Sequence, residues 1–151
     1  MGYITRMAAS AAAVSLLAAA PTAHAASEGA ISAEKLRRLD IMLMVSALRC
    51  RHGADGFQSE YDRFATAHLN ELNAANQTLR SNLARRHGSK GAKRALDKLS
   101  VSMANTYGSG HPSLGCRELK KATGDLARDR SAGALLAAAD KLLSDNGRVA
   151  M

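Results

Sequence analysis

Ser32-Ala33-Glu34-Lys35-Leu36-Arg37-Arg38-Leu39-Asp40-Ile41-Met42-Leu43-Met44-Val45-Ser46-Ala47-Leu48-Arg49-Cys50 is the stretch that decides the fold of this chain. Leu36, Leu39, Leu43, Ala47 and Cys50 recur at steps of three and four, which a helix gathers into one stripe. Ile41, Met42, Met44, Val45 and Leu48 widen that stripe until the middle is apolar nearly all round. A helix of that kind belongs at the centre of a bundle. Ser32 is expected to cap it, Ile31 to staple against Leu36, and Gly53 to stop it.

The same spacing continues outward. Asp55 and Gln58 form a cap-and-third-residue pair for a second helix. Phe57, Tyr61, Phe64, His68, Leu72, Ala75, Leu79 and Leu83 then hold one face for about seven turns, until Gly88. A third helix is expected to start after Ser89 and run to Tyr107, with Ala92, Ala95, Leu96, Leu99 and Met103 facing inward. Gly108, Gly110, His111 and Pro112 mark a structured loop, because proline disfavours helix at the residue before it and glycine permits unusual dihedrals. Ser113 is expected to cap a fourth helix carrying Cys116, Leu119, Thr123 and Leu126. A last helix is expected from Ala132 to Ser144, closed by Asn146-Gly147. No stretch alternates with period two, so the expected fold is an all-α single-domain bundle of four to five helices.

The first 25 residues read differently. Arg6 is the only charge before Glu28, and Met7 to Ala20 is a run of apolar and small residues. Pro21 ends it, and Ala23-His24-Ala25 supplies small residues at the two positions a signal peptidase requires. The run is shorter than the roughly 20 apolar residues of a membrane anchor. Residues 1–25 are therefore expected to be a cleavable export signal, and residues 26–151 the helical domain. Periplasmic or secreted localisation follows, with no transmembrane span after cleavage. Losing Arg6 takes the formal charge from +8 to +7.

Export changes how the only two cysteines, Cys50 and Cys116, are read. In an oxidising compartment they are expected to pair. One sits in the last turn of the first helix and the other in the first turn of the fourth. The bridge would close a loop of about 67 residues, which the loop-entropy relation values at roughly 4 kcal/mol.

Little in the sequence carries catalytic chemistry. Ser32-Ala33-Glu34-Lys35 matches a Ser-x-x-Lys pattern, but its companion elements are missing and a helix cap explains Ser32. No Gly-x-Ser-x-Gly, no phosphate-cradling glycine loop and no carboxylate pair suited to general acid–base work occurs. His68 lies on the inward stripe and has only Glu71 at metal-ligand spacing. The single four-ligand constellation is Cys50, His52, His111 and Cys116, and it requires the thiols to be free.

Arg80, Arg85, Arg86, Lys90, Lys93, Arg94 and Lys98 fall within 19 residues against Asp97 alone. Lys90, Arg94 and Lys98 repeat every fourth residue, a positive stripe opposite the apolar face of the third helix. Like charges so spaced cost a few tenths of a kcal/mol. Such a face is either simply solvated or turned to anionic envelope components or an acidic protein. Nucleic acid is not expected, since the chain is exported and few aromatics are available for stacking.

Residues 39–45, residues 48–51 and Ser102-Met103-Ala104-Asn105-Thr106-Tyr107-Gly108-Ser109-Gly110-His111-Pro112, followed by Cys116, resemble a group of small exported bacterial helical proteins of unknown function. Some of that group carry the label S-adenosyl-L-homocysteine hydrolase. The residues do not support the label: that enzyme family is several times longer and has a dinucleotide-binding domain with a glycine fingerprint, and this sequence has neither. The resemblance implies an exported helical domain over most of residues 26–151. The expected function is a non-enzymatic binding or interaction protein without a cofactor, chaperone-like or envelope-associated. The alternatives are a metal protein or enzyme built on Cys50, His52, His111 and Cys116, and a structural partner in an oligomer.

Overall fold

The computed structural model describes the backbone of residues 22–144 and the side chains of residues 28–144. Apart from the backbone of its last four residues, the expected export segment lies outside them, as do Asn146 and Gly147. Five helices follow one another: α1 (Thr22–Arg49), α2 (Gln58–Ala67), α3 (Leu69–Thr106), α4 (Cys116–Arg128) and α5 (Ala132–Leu143). No strand occurs among the described residues. The chain is an all-α bundle tied by one disulfide, Cys50–Cys116.

α1 touches all four other helices and is the axis of the bundle. Leu39, Met42 and Leu43 on it are fully buried, each stabilising the fold by about 1.5–3 kcal/mol. Two cores form along its length. The main one joins Leu39, Leu43 and Ala47 to Phe57 at the N-cap of α2 and Phe64 within it, to Leu119 and Leu126 of α4, and to Leu135 and Leu142 of α5. The second joins Ala33 to Ala75, Leu79 and Leu96.

That second core exists because α3 is not one rod. Gly88 has φ 70° and ψ 166° inside it, a conformation essentially restricted to glycine. The two limbs, residues 69–87 and 89–106, fold back on each other, so that Leu79 meets Leu96 against Ala33. The break expected at Gly88 is thus present, and Ala92, Leu96 and Met103 face inward as their spacing indicated.

Several boundaries differ from expectation. α1 runs through Ser32 rather than starting at it, because Ala30 and Ala33 near Ser32 favour helix and an interior serine costs little. Ile31 is 54% exposed, so it does not staple. Met44 and Leu48 are exposed as well, and α1 is apolar all round only in composition. The expected second helix breaks at His68, although its buried face runs on unbroken from Phe57 to Leu79. Phe57, not Asp55, occupies the cap position of α2, and Asp55 instead lies 3.7 Å from Arg117. α4 is capped at Gly115, not Ser113, because the Glu118 carboxylate accepts the Gly115 N–H at 3.1 Å. In α5, Ser131 accepts the Ala134 N–H at 3.2 Å, a regular N-cap.

Candidate functional site

Three polar clusters stand out. The first is the disulfide end. Cys50 and Cys116 are joined with their Cα atoms 5.8 Å apart. The neighbouring loop is held by His111, whose Nε2–H donates to the Leu142 carbonyl at 2.8 Å. That carbonyl is in the last turn of α5, where carbonyls commonly need a partner from outside the helix. The other ring nitrogen, Nδ1, accepts the Ser113 and Leu114 N–H groups at 3.3 and 3.1 Å. Gly110 has φ 108°, and a Cβ there would sit 3.2 Å from Nε of Arg49, which itself donates to the Gly108 carbonyl. Pro112 is exposed at the loop's edge. His111 is thus a staple between loop and helix end. His52 is exposed and accepts from Arg51. Cys50, His52, His111 and Cys116 do not form a ligand set here: the sulfurs are bonded to each other and both nitrogens of His111 are engaged. Among the described residues no group of three metal-binding side chains converges.

His68 repeats the device. Fully buried beside the Phe64 ring, it donates Nε2–H to the Leu126 carbonyl in the last turn of α4 at 2.9 Å. Its Nδ1 is buried without a partner among the described residues. The histidine that sits on the inward stripe is therefore a cap for a neighbouring helix.

The third cluster was not singled out from the sequence. The Tyr61 hydroxyl donates to Asp40 at 2.9 Å, and Arg37 donates to Asp40 and to Ser100, each at 3.3 Å. It joins α1, α2 and the second limb of α3. Burial pushes the Asp40 carboxyl above the usual carboxylate range, opposed by the Tyr61 hydrogen bond and by Arg37. Burial, with Asp40 beside it, also raises the Tyr61 hydroxyl, which stays protonated. An internal tie of this kind shows in sequence only as polar residues among apolar ones.

The most exposed chemistry is on the α3 hairpin. Arg80, Arg85 and Arg86 lie on its first limb, and Lys90, Lys93, Arg94 and Lys98 on its second. All seven are exposed. Among the described residues none has a carboxylate within salt-bridge distance, whereas elsewhere Lys35–Asp140, Arg38–Glu34 and Lys121–Asp125 are paired. Arg85 donates to the Asn82 side chain. Seven cations less Asp97 put +6 of the chain's +8 on these 19 residues. The rest of the protein is nearly neutral, so the field of the molecule is the field of this hairpin.

Beside it, between the hairpin and the start of α1, lies a cleft of about 660 Å³, lined by Ile31, Leu79, Leu83 and Leu99 with Arg86 and Lys98. On the other side of the hairpin a more polar depression of about 520 Å³ includes Arg80 and Asn76. Among the described residues no helix is long and apolar enough to cross a membrane.

No protein-family model, curated protein or solved structure matches this chain.

Proposed function

We propose that this chain is an exported, non-enzymatic binding protein whose basic hairpin meets anionic components of the cell envelope. One observation carries the reading: seven exposed cations with no acidic partner among the described residues, held on a hairpin that contains most of the net charge. A merely solvated face would be expected to intersperse acids, as the paired cations of α1 and α4 do. Export is supported by the Ala23-His24-Ala25 segment and by the Cys50–Cys116 bridge, since disulfides persist in oxidising compartments. The interior polar clusters serve as ties between elements: His68 reaches α4, His111 joins its loop to α5, and Tyr61 and Ser100 link α2 and α3 to Asp40 and Arg37 of α1.

The test is co-sedimentation with vesicles of phosphatidylglycerol against vesicles of phosphatidylcholine. Binding is expected only to the anionic vesicles and is expected to weaken as salt rises. Each cation near an anionic surface contributes about 1 kcal/mol. Lys90→Glu/Arg94→Glu/Lys98→Glu is therefore expected to weaken binding by over a hundredfold. Unchanged binding would reject the reading, and binding to an acidic protein but to neither vesicle would move the partner to that class.

A further inference from the structure

Resting on that reading, we propose that the cleft between the hairpin and α1 takes the acyl chain of one monomeric, single-chain anionic lipid, with the headgroup at Arg86 and Lys98.

The lining is suited to a hydrocarbon chain. Ile31, Leu79, Leu83 and Leu99 present branched aliphatic side chains from three directions: α1 and the two limbs of α3. The volume, about 660 Å³, is within the range of about 300–1,000 Å³ typical of small-ligand sites. Leu79 is buried and belongs to the second core, so the floor is fixed. Ile31 is more than half exposed at the mouth, and Leu83 and Leu99 are half-buried. The site therefore leaves apolar surface open beside two exposed cations.

Charge selects the headgroup. Arg86 and Lys98 line the same cleft, and neither has an acidic partner among the described residues. One carboxylate, Glu34, also reaches it, but Arg38 holds that group at 3.1 Å. Two free cations beside a neutralised acid complement an anion and repel a cation. A zwitterionic headgroup would bring its own positive charge to the same two side chains. An apolar floor with two cations at its edge is the pattern that recognises an anionic amphiphile, the body desolvated and the head ion-paired.

The probe is lysophosphatidylglycerol below its micelle concentration, titrated by calorimetry into the oxidised protein. Saturable binding of one molecule per chain is expected. Lysophosphatidylcholine should bind at least tenfold more weakly, and glycerol phosphate, which lacks the chain, should not bind. Ile31→Gln, at a position exposed enough to leave the fold intact, and Leu83→Gln should each weaken lysophosphatidylglycerol binding at least fivefold. Neither should change binding to phosphatidylglycerol vesicles. Equal affinity for the two lysolipids, or full affinity in both variants, overturns the proposal. No lysophosphatidylglycerol binding with vesicle binding intact overturns the cleft alone, whereas loss of both overturns the surface reading beneath it. A dimer in light scattering that Ile31→Gln dissociates assigns the cleft to a second copy and also overturns the lipid.

Discussion

Replacing His68 tests how the bundle is held at the point where the sequence pattern conceals a break. His68 is fully buried, 5.3 Å between ring centroids from Phe64, and its Nε2–H satisfies the Leu126 carbonyl. Alanine removes three things at once. The carbonyl at the end of α4 loses its partner, which costs about 1–3 kcal/mol. The ring contact is lost, about 0.5–1.5 kcal/mol. A cavity of ring size remains, as in aromatic-to-alanine changes that cost about 3–5 kcal/mol in total. These overlap, so His68→Ala is expected to cost about 4 kcal/mol, a large part of a small domain's stability. Phenylalanine separates the parts. It keeps the volume and the ring contact, strands the carbonyl, and removes the unpartnered Nδ1 that the native ring buries. His68→Phe should therefore cost only about 1 kcal/mol. Urea unfolding followed by circular dichroism measures both, with hydrogen exchange at the end of α4 reporting the cap itself. A loss below 1 kcal/mol for alanine, or equal losses for the two variants, would show that His68 does not hold the end of α4.

The remaining predictions concern the clamp, the buried carboxyl and the hairpin bend. Cys50→Ser/Cys116→Ser removes a bridge spanning 66 residues of sequence and should lower stability by about 4 kcal/mol and the melting temperature by on the order of 15 °C; calorimetry of the two forms measures it. Burial raises the Asp40 carboxyl, so the folded state holds its proton more tightly than the unfolded chain. Its contribution is then fully present below the unfolded value of about 3.9 and is lost as pH rises through the raised folded value. Asp40→Asn should flatten that part of the stability–pH curve, read from urea midpoints across the acid range, and an unchanged slope would contradict it. Gly88→Ala has open space for its Cβ but a backbone suited to glycine, so it should cost about 1–3 kcal/mol, measured by thermal unfolding.

The fold was legible where the chain punctuates itself. Gly88 and the Gly108–Pro112 loop are marked by residues whose backbone preferences end helices, and both boundaries lie where those residues stand. Cys50 and Cys116 meet because both sit at helix ends on the packed side. The break at His68 was not legible, because its neighbours keep the four-residue rhythm, and bonds at that spacing flank it, from the His68 N–H to the Phe64 carbonyl and from the Leu72 N–H to the His68 carbonyl. Ser32, Asp55 and Ser113 have capping chemistry without the geometry. Caps are decided by competition, and at α4 the reach of Glu118 to Gly115 outweighs the hydroxyl. The Arg37–Asp40–Tyr61–Ser100 tie was hidden for a different reason: it joins three helices, and no local pattern encodes which polar residues will face each other. The basic segment was visible at once, but its place on a hairpin beside an apolar cleft depends on the fold at Gly88.

The proposed binding depends on where the charge sits: the hairpin, not net charge, meets the anionic surface. Two charge-matched variants test it most directly in one vesicle co-sedimentation series. Lys90→Glu/Arg94→Glu/Lys98→Glu alters the hairpin, and Lys120→Glu/Lys121→Glu/Lys141→Glu makes the same change in net charge on α4 and α5. The first is expected to lose phosphatidylglycerol binding by over a hundredfold while the second stays within about threefold of the native protein. Equal losses in the two, or none in either, would contradict it.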